Sequence, residues 1–76
     1  MEEEIRHPEI EVQLSGLSGN AGTLMDAVTS AIKEARRRGD LTAEEAAKSI
    51  GEFREEAMSG DYTHLLRTCQ RWVNVS

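Results

Sequence analysis

The chain has 76 residues, a single cysteine and a formal net charge of −5. That length holds one domain and no second core, and a lone Cys69 excludes an internal disulfide. The acidic balance argues against a general grip on nucleic acid, whose affinity comes from a surplus of Lys and Arg releasing counterions.

Size sets a further constraint. A chain this short buries only about 60–65% of the surface its unfolded form exposes, so small folds recruit a disulfide, a metal or a partner subunit. His7 and His64 stand far apart in sequence with no CxxC or HxxxH partner, so neither a metal nor another cofactor is expected. Homo-oligomerisation is left as the missing support. No apolar run approaches the ~20 residues needed to cross a bilayer. Met1-Glu2-Glu3-Glu4 is acidic where a secretory signal is basic and then apolar. The expected compartment is the cytosol, with no membrane partner.

Residues 1–8 read as a charged lead-in closed by Pro8, and residues 9–76 as the domain. From Glu9, Ile10, Val12 and Leu14 alternate with Glu11, Gln13 and Ser15, the period of a half-buried strand. Glycines at 16, 19 and 22 mark a loop, in which Ser18 or Asn20 can cap the next helix.

The first helix is predicted from about Ala21 to Arg38, with Leu24, Val28, Ile32 and Ala35 at helical spacing. Gly39 ends it. Thr42 and Glu45 fit a capping box for a second helix through Ala46, Ile50 and Phe53 to Ala57. Ser59-Gly60-Asp61 breaks that helix, and Asp61 caps a third. Its apolar stripe is Tyr62, Leu65, Leu66, Cys69, Trp72 and Val73, while His64, Arg67, Thr68 and Arg71 lie mostly off it. Trp72 to Val75 regain strand alternation. The fold class is therefore α+β, a small β-α-α-α-β domain whose terminal strands pair. Two short strands are marginal alone, and their edges are templates for another chain. Val12, Leu14, Trp72 and Val73 are the expected interface residues.

Two junctions are candidate binding sites. In the first, Ser18, Gly19, Asn20 and Ala21 lie between a strand and a helix start, where backbone N–H groups and the helix dipole attract phosphate. The loop has neither the ending of a Walker A motif nor the GxGxxG spacing, and it also reads as a plain turn whose glycines permit positive φ. In the second, Tyr62 and His64 open the third helix, and Arg67 and Arg71 follow at near-helical spacing. The ring and imidazole suit a base or an anion, and arginine forks suit phosphate. The alternative is a solvated helix face with Tyr62 in the core. Arg36-Arg37-Arg38 reads better as positive charge complementing the exposed carbonyls at a helix C-terminus than as a nucleic-acid patch. Cys69 reads as a buried small hydrophobe, and Trp72 as a core or interface anchor. No catalytic triad or carboxylate pair can be assembled, so a binding protein is expected and not an enzyme.

The series Val12-Gln13-Leu14, Ser18-Gly19-Asn20-Ala21, Phe53-Arg54-Glu55-Glu56-Ala57, Ser59-Gly60-Asp61-Tyr62, His64-Leu65-Leu66 and Arg71-Trp72-Val73-Asn74-Val75 resembles a group of short proteins encoded by bacteriophages and prophages. The likeness covers most of residues 10–75. It departs at Gly22-Thr23, where bulkier residues are expected, and in a longer segment between the first two helices. The resemblance implies a phage origin and action in the host cytosol, where small phage proteins work stoichiometrically against defence machinery. One such strategy is to sequester nucleotide signals of host immunity in pockets between subunits. The leading expectation is thus a homo-oligomer that binds a phosphate-bearing nucleotide. The alternatives are an inhibitor or adaptor bound to a host or phage protein, and a structural component of the particle.

Overall fold

The computed structural model describes residues 5–14, 16 and 19–76. Its elements are β1 (His7–Val12), α1 (Ala21–Arg37), α2 (Ala43–Ala57), α3 (Tyr62–Trp72) and β2 (Val73–Val75). The β-α-α-α-β order and the pairing of the terminal strands agree with the sequence-based expectation. The strands run parallel, matching His7 with Val73, Glu11 with Asn74 and Val12 with Val75. Parallel neighbours need a long crossover, and here the three helices supply it. Backbone bonds extend the pairing at both ends, from Arg6 N–H to Arg71 O at 2.9 Å and from Leu14 N–H to Ser76 O at 3.0 Å.

The strand begins earlier than the alternation suggested. His7 and Pro8 belong to β1, inside the segment expected to be a lead-in. Proline lacks the N–H that a regular ladder would use, and the register shifts between His7 and Glu11. Tertiary contacts also hold this end in place. His7 Nε2 lies 3.1 Å from Ser49 Oγ, and Arg6 pairs with Glu52 at 2.9 Å.

Local chemistry fixes the helix boundaries. Asn20 caps α1, its carboxamide oxygen accepting from Gly22 N–H at 2.8 Å and Thr23 N–H at 3.4 Å. Ser18, the other candidate cap, lies outside the described residues. Gly39 has φ of +89°, a conformation that glycine adopts without a side-chain clash, and it turns the chain so that Asp40 N–H closes on Ala35 O at 2.9 Å. Thr42 and Glu45 form the expected capping box, with both bonds at 3.0 Å. Asp61 accepts from His64 N–H at 2.9 Å to start α3.

The apolar faces converge on one core. Ile10 and Val12 of β1 and Val73 of β2 join Leu24, Val28, Ile32, Phe53, Leu65, Cys69 and Trp72. Glu9 and Glu11 point outward, as a period of two requires. The α3 stripe differs from the predicted one at two positions. Tyr62 is exposed, whereas Thr68 is fully buried, its hydroxyl donating to His64 O at 2.8 Å. Bonding back to the preceding turn hides the polar atom and lets threonine pack as a hydrophobe. Among the described residues, no helix is long and apolar enough to cross a membrane.

Two stability predictions follow from these contacts. Among the described residues the buried Thr29 hydroxyl on α1 has no hydrogen-bond partner. Thr29→Val keeps the shape and removes the unsatisfied group, so it is expected to raise unfolding stability by about 1 kcal/mol in urea titration. In the capping box, the N–H bond from Thr42 holds the Glu45 carboxyl below its usual pKa of 4.5. A carboxylate with a lowered folded-state pKa stabilises the fold above its unfolded value and loses that effect as pH falls through the folded one. The stability gap between the parent chain and Glu45→Ala should therefore be open at pH 7 and close as acid titration passes below the ordinary carboxylate range.

Candidate functional site

Helix α3 presents His64, Arg67, Gln70 and Arg71 along one side, lining an open groove of about 550 Å³. Steps of three and four residues put these side chains on one strip of a 3.6-residue helix. The predicted grouping of His64, Arg67 and Arg71 is therefore realised in space.

The α2–α3 turn sets the position of His64. Its Nε2 lies 2.9 Å from Glu56 O and 3.1 Å from Ser59 Oγ. A carbonyl only accepts, so Nε2 carries the hydrogen and the imidazole caps the end of α2. Ser59 Oγ donates to the same carbonyl at 2.7 Å. Gly60 makes room for the ring, because a Cβ there would stand 2.7 Å from His64 Cγ. His64 thus has a structural role as well as a place on the groove wall.

Glu56 organises the other end. Its Oε1 accepts from Arg71 at 2.9 Å and its Oε2 from the Trp72 indole N–H at 2.7 Å. The carboxylate orients Arg71 and offsets part of its charge. Arg67 is exposed and has no ion pair among the described residues. It is the groove's least compensated cation.

The other predicted site residues lie elsewhere. Tyr62 borders a separate hollow of about 330 Å³ together with Ala21, Met25, Met58 and Leu65. Gly19 adjoins this side, since a Cβ on it would come 3.6 Å from the Tyr62 hydroxyl. Among the described residues the two hollows share no lining residue. Within a single chain Tyr62 therefore borders one hollow, and His64, Arg67 and Arg71 line the other. Residues two apart on a helix point about 200° from one another. Asn20 is exposed, and its carboxamide oxygen accepts from the N–H groups of Gly22 and Thr23, just beyond the Gly19 to Ala21 segment expected to receive phosphate.

Three of the four interface candidates lie in the core of a single chain. Val12, Trp72 and Val73 are 5%, 3% and 0% exposed, so one chain's core already covers them, and only Leu14 is partly accessible. Burial raises the pKa of the Cys69 thiol, which lowers its thiolate fraction. No group of three or more metal-ligating side chains forms among the described residues.

Sequence reasoning missed Gln70 and Glu56. Gln70 was within reach of helical arithmetic, three residues beyond Arg67 on the same strip. Glu56 was not, because its partners are 15 and 16 residues away on another helix. The chain matches no protein-family model, no curated protein and no solved structure.

Glu56 gives a direct test of this geometry. Glu56→Ala leaves the buried indole N–H unpartnered and is expected to destabilise the fold by about 1–3 kcal/mol. Glu56→Gln keeps an acceptor for that N–H and should lose less. Trp72 is the only tryptophan, so its fluorescence in a urea titration reports both.

Proposed function

We propose that this chain is a non-catalytic binding protein that sequesters a phosphate-bearing nucleotide, with the phosphate held in the α3 groove. One observation supports the reading most. An acidic chain of net charge −5 gathers Arg67, Arg71, His64 and the Gln70 amide on a single concave strip, with Arg67 lacking a carboxylate partner among the described residues. Guanidinium forks and an amide donor match the oxygens of a phosphate group. In this reading Arg67 is the main anion contact, Arg71 is held ready by Glu56, and Gln70 supplies a directional donor.

Among the described residues the groove is open and lacks a Tyr, Phe or Trp ring for a base. A homo-oligomer resolves that lack, since the Tyr62 face of a second copy would close the pocket and offer a ring for stacking. The thin core of a short chain favours the same assembly. Action on a nucleotide signal in the cytosol of a phage host is the biological setting that the sequence resemblance implies.

A second reading is supported by a different surface. Met58 and Tyr62, 68% and 45% exposed, lie together beside Met25 and Leu65. Exposed apolar groups of this size suit a protein contact, so an inhibitor or adaptor is the alternative.

Thermal-shift titration with inorganic phosphate, cyclic dinucleotides and ADP-ribose tests the leading reading. At least one nucleotide should raise the melting temperature. Arg67→Ala should weaken that ligand by about tenfold or more while leaving the unliganded melting point unchanged, because its side chain is exposed. No shift with any nucleotide at millimolar concentration would overturn it. Light scattering at micromolar concentration should give a multiple of 8.4 kDa. A single-chain mass removes the intersubunit pocket.

A further inference from the structure

A third surface lies away from both hollows, where the end of α1 meets the start of α2. Lys33, Arg36 and Arg37 form one wall of a groove of about 380 Å³, over a floor of Ala43, Ala46, Ala47 and Ile50. We infer that this groove docks an acidic amphipathic helix of a partner protein.

Charge is the first argument. Arg36 to Arg38 with Lys33 are four of the nine Lys and Arg residues in a chain whose acids outnumber its bases. Lys33 and Arg36 have no ion pair among the described residues. Arg37 reaches Glu34 only at 3.6 Å with its side chain 77% exposed, a contact that solvent largely screens. The end of α1 does not need all of this charge, because Gly39 and Asp40 already close on its last carbonyls. The wall is thus a cluster of cations open to an anionic partner.

The floor narrows the class of partner. It is made of methyl groups and one isoleucine, with neither a hydrogen-bond donor for a bare anion nor an aromatic ring for a base. A phosphate backbone would gain nothing from it and would face a chain of net charge −5. An apolar side chain would gain from it. From Ala43 to Ile50 the floor runs about 10 Å, roughly two helical turns. Alanines let a second helix approach closely, and its apolar positions at i, i+3 and i+4 would seat on the floor. Glu or Asp beside them would meet Lys33, Arg36 and Arg37.

Fluorescence anisotropy with labelled synthetic peptides tests the inference on the intact chain. The probes are an amphipathic helix with Leu at i, i+3, i+4 and i+7 and Glu on its flanks, the same peptide with Lys for Glu, a scrambled form, and a single-stranded oligonucleotide of equal charge. The acidic amphipathic peptide should bind, the scrambled and lysine forms should bind at least about tenfold more weakly, and added salt should weaken binding. Lys33→Glu with Arg36→Glu should lower affinity by a similar factor, and so should Ala47→Glu, which puts a like charge on the floor. These positions are exposed, and an unchanged melting temperature confirms that the variants fold. The inference fails if the acidic peptide does not bind at millimolar concentration, if the scrambled peptide or oligonucleotide binds as well, or if the variants bind like the parent chain. Arg67→Ala should leave this binding untouched, which separates its outcome from that of the α3 groove.

Discussion

The fold turns on the surroundings of one indole. Trp72 ends α3 and immediately precedes β2. Its N–H donates to Glu56 on α2, the Arg6 guanidinium lies 4.5 Å above its ring, Phe53 meets it edge-on at 5.9 Å, and His7 stands 6.1 Å away. One side chain thus ties α2 and the start of β1 to the end of α3. A cation over a tryptophan face and an edge-to-face pair each add modestly to the burial of a large ring. Here they also locate the start of β1 beside the start of β2. The parallel pairing of two very short strands depends on that location, because so small a sheet has little stability of its own.

The same contact reaches the candidate site. The Glu56 carboxylate that accepts from Trp72 also aligns Arg71, while the Glu56 carbonyl receives His64. Core packing and the cationic side of α3 are therefore coupled through one residue. Arg67 stands outside that network, which makes it the side chain best able to act on a ligand without altering the fold.

The described surface includes three regions with different chemistry: a cationic strip on α3, an apolar hollow around Met58 and Tyr62, and a cation-walled apolar groove between α1 and α2. Each region is open within a single chain.

By itself the sequence determined the element order, the caps at Thr42 and Asp61, the turn at Gly39 and the buried faces of α1 and α2. All of these are set by residues within three or four positions of one another, through capping bonds and helical spacing. It also placed His64, Arg67 and Arg71 on one strip, since they share a helix. Only the tertiary structure decided that Glu56 joins Trp72 to Arg71 and that Arg6 and His7 belong to the fold. Those outcomes depend on which helix faces meet and at what angle. Contacts made across 15 residues or more leave no periodic trace in the chain.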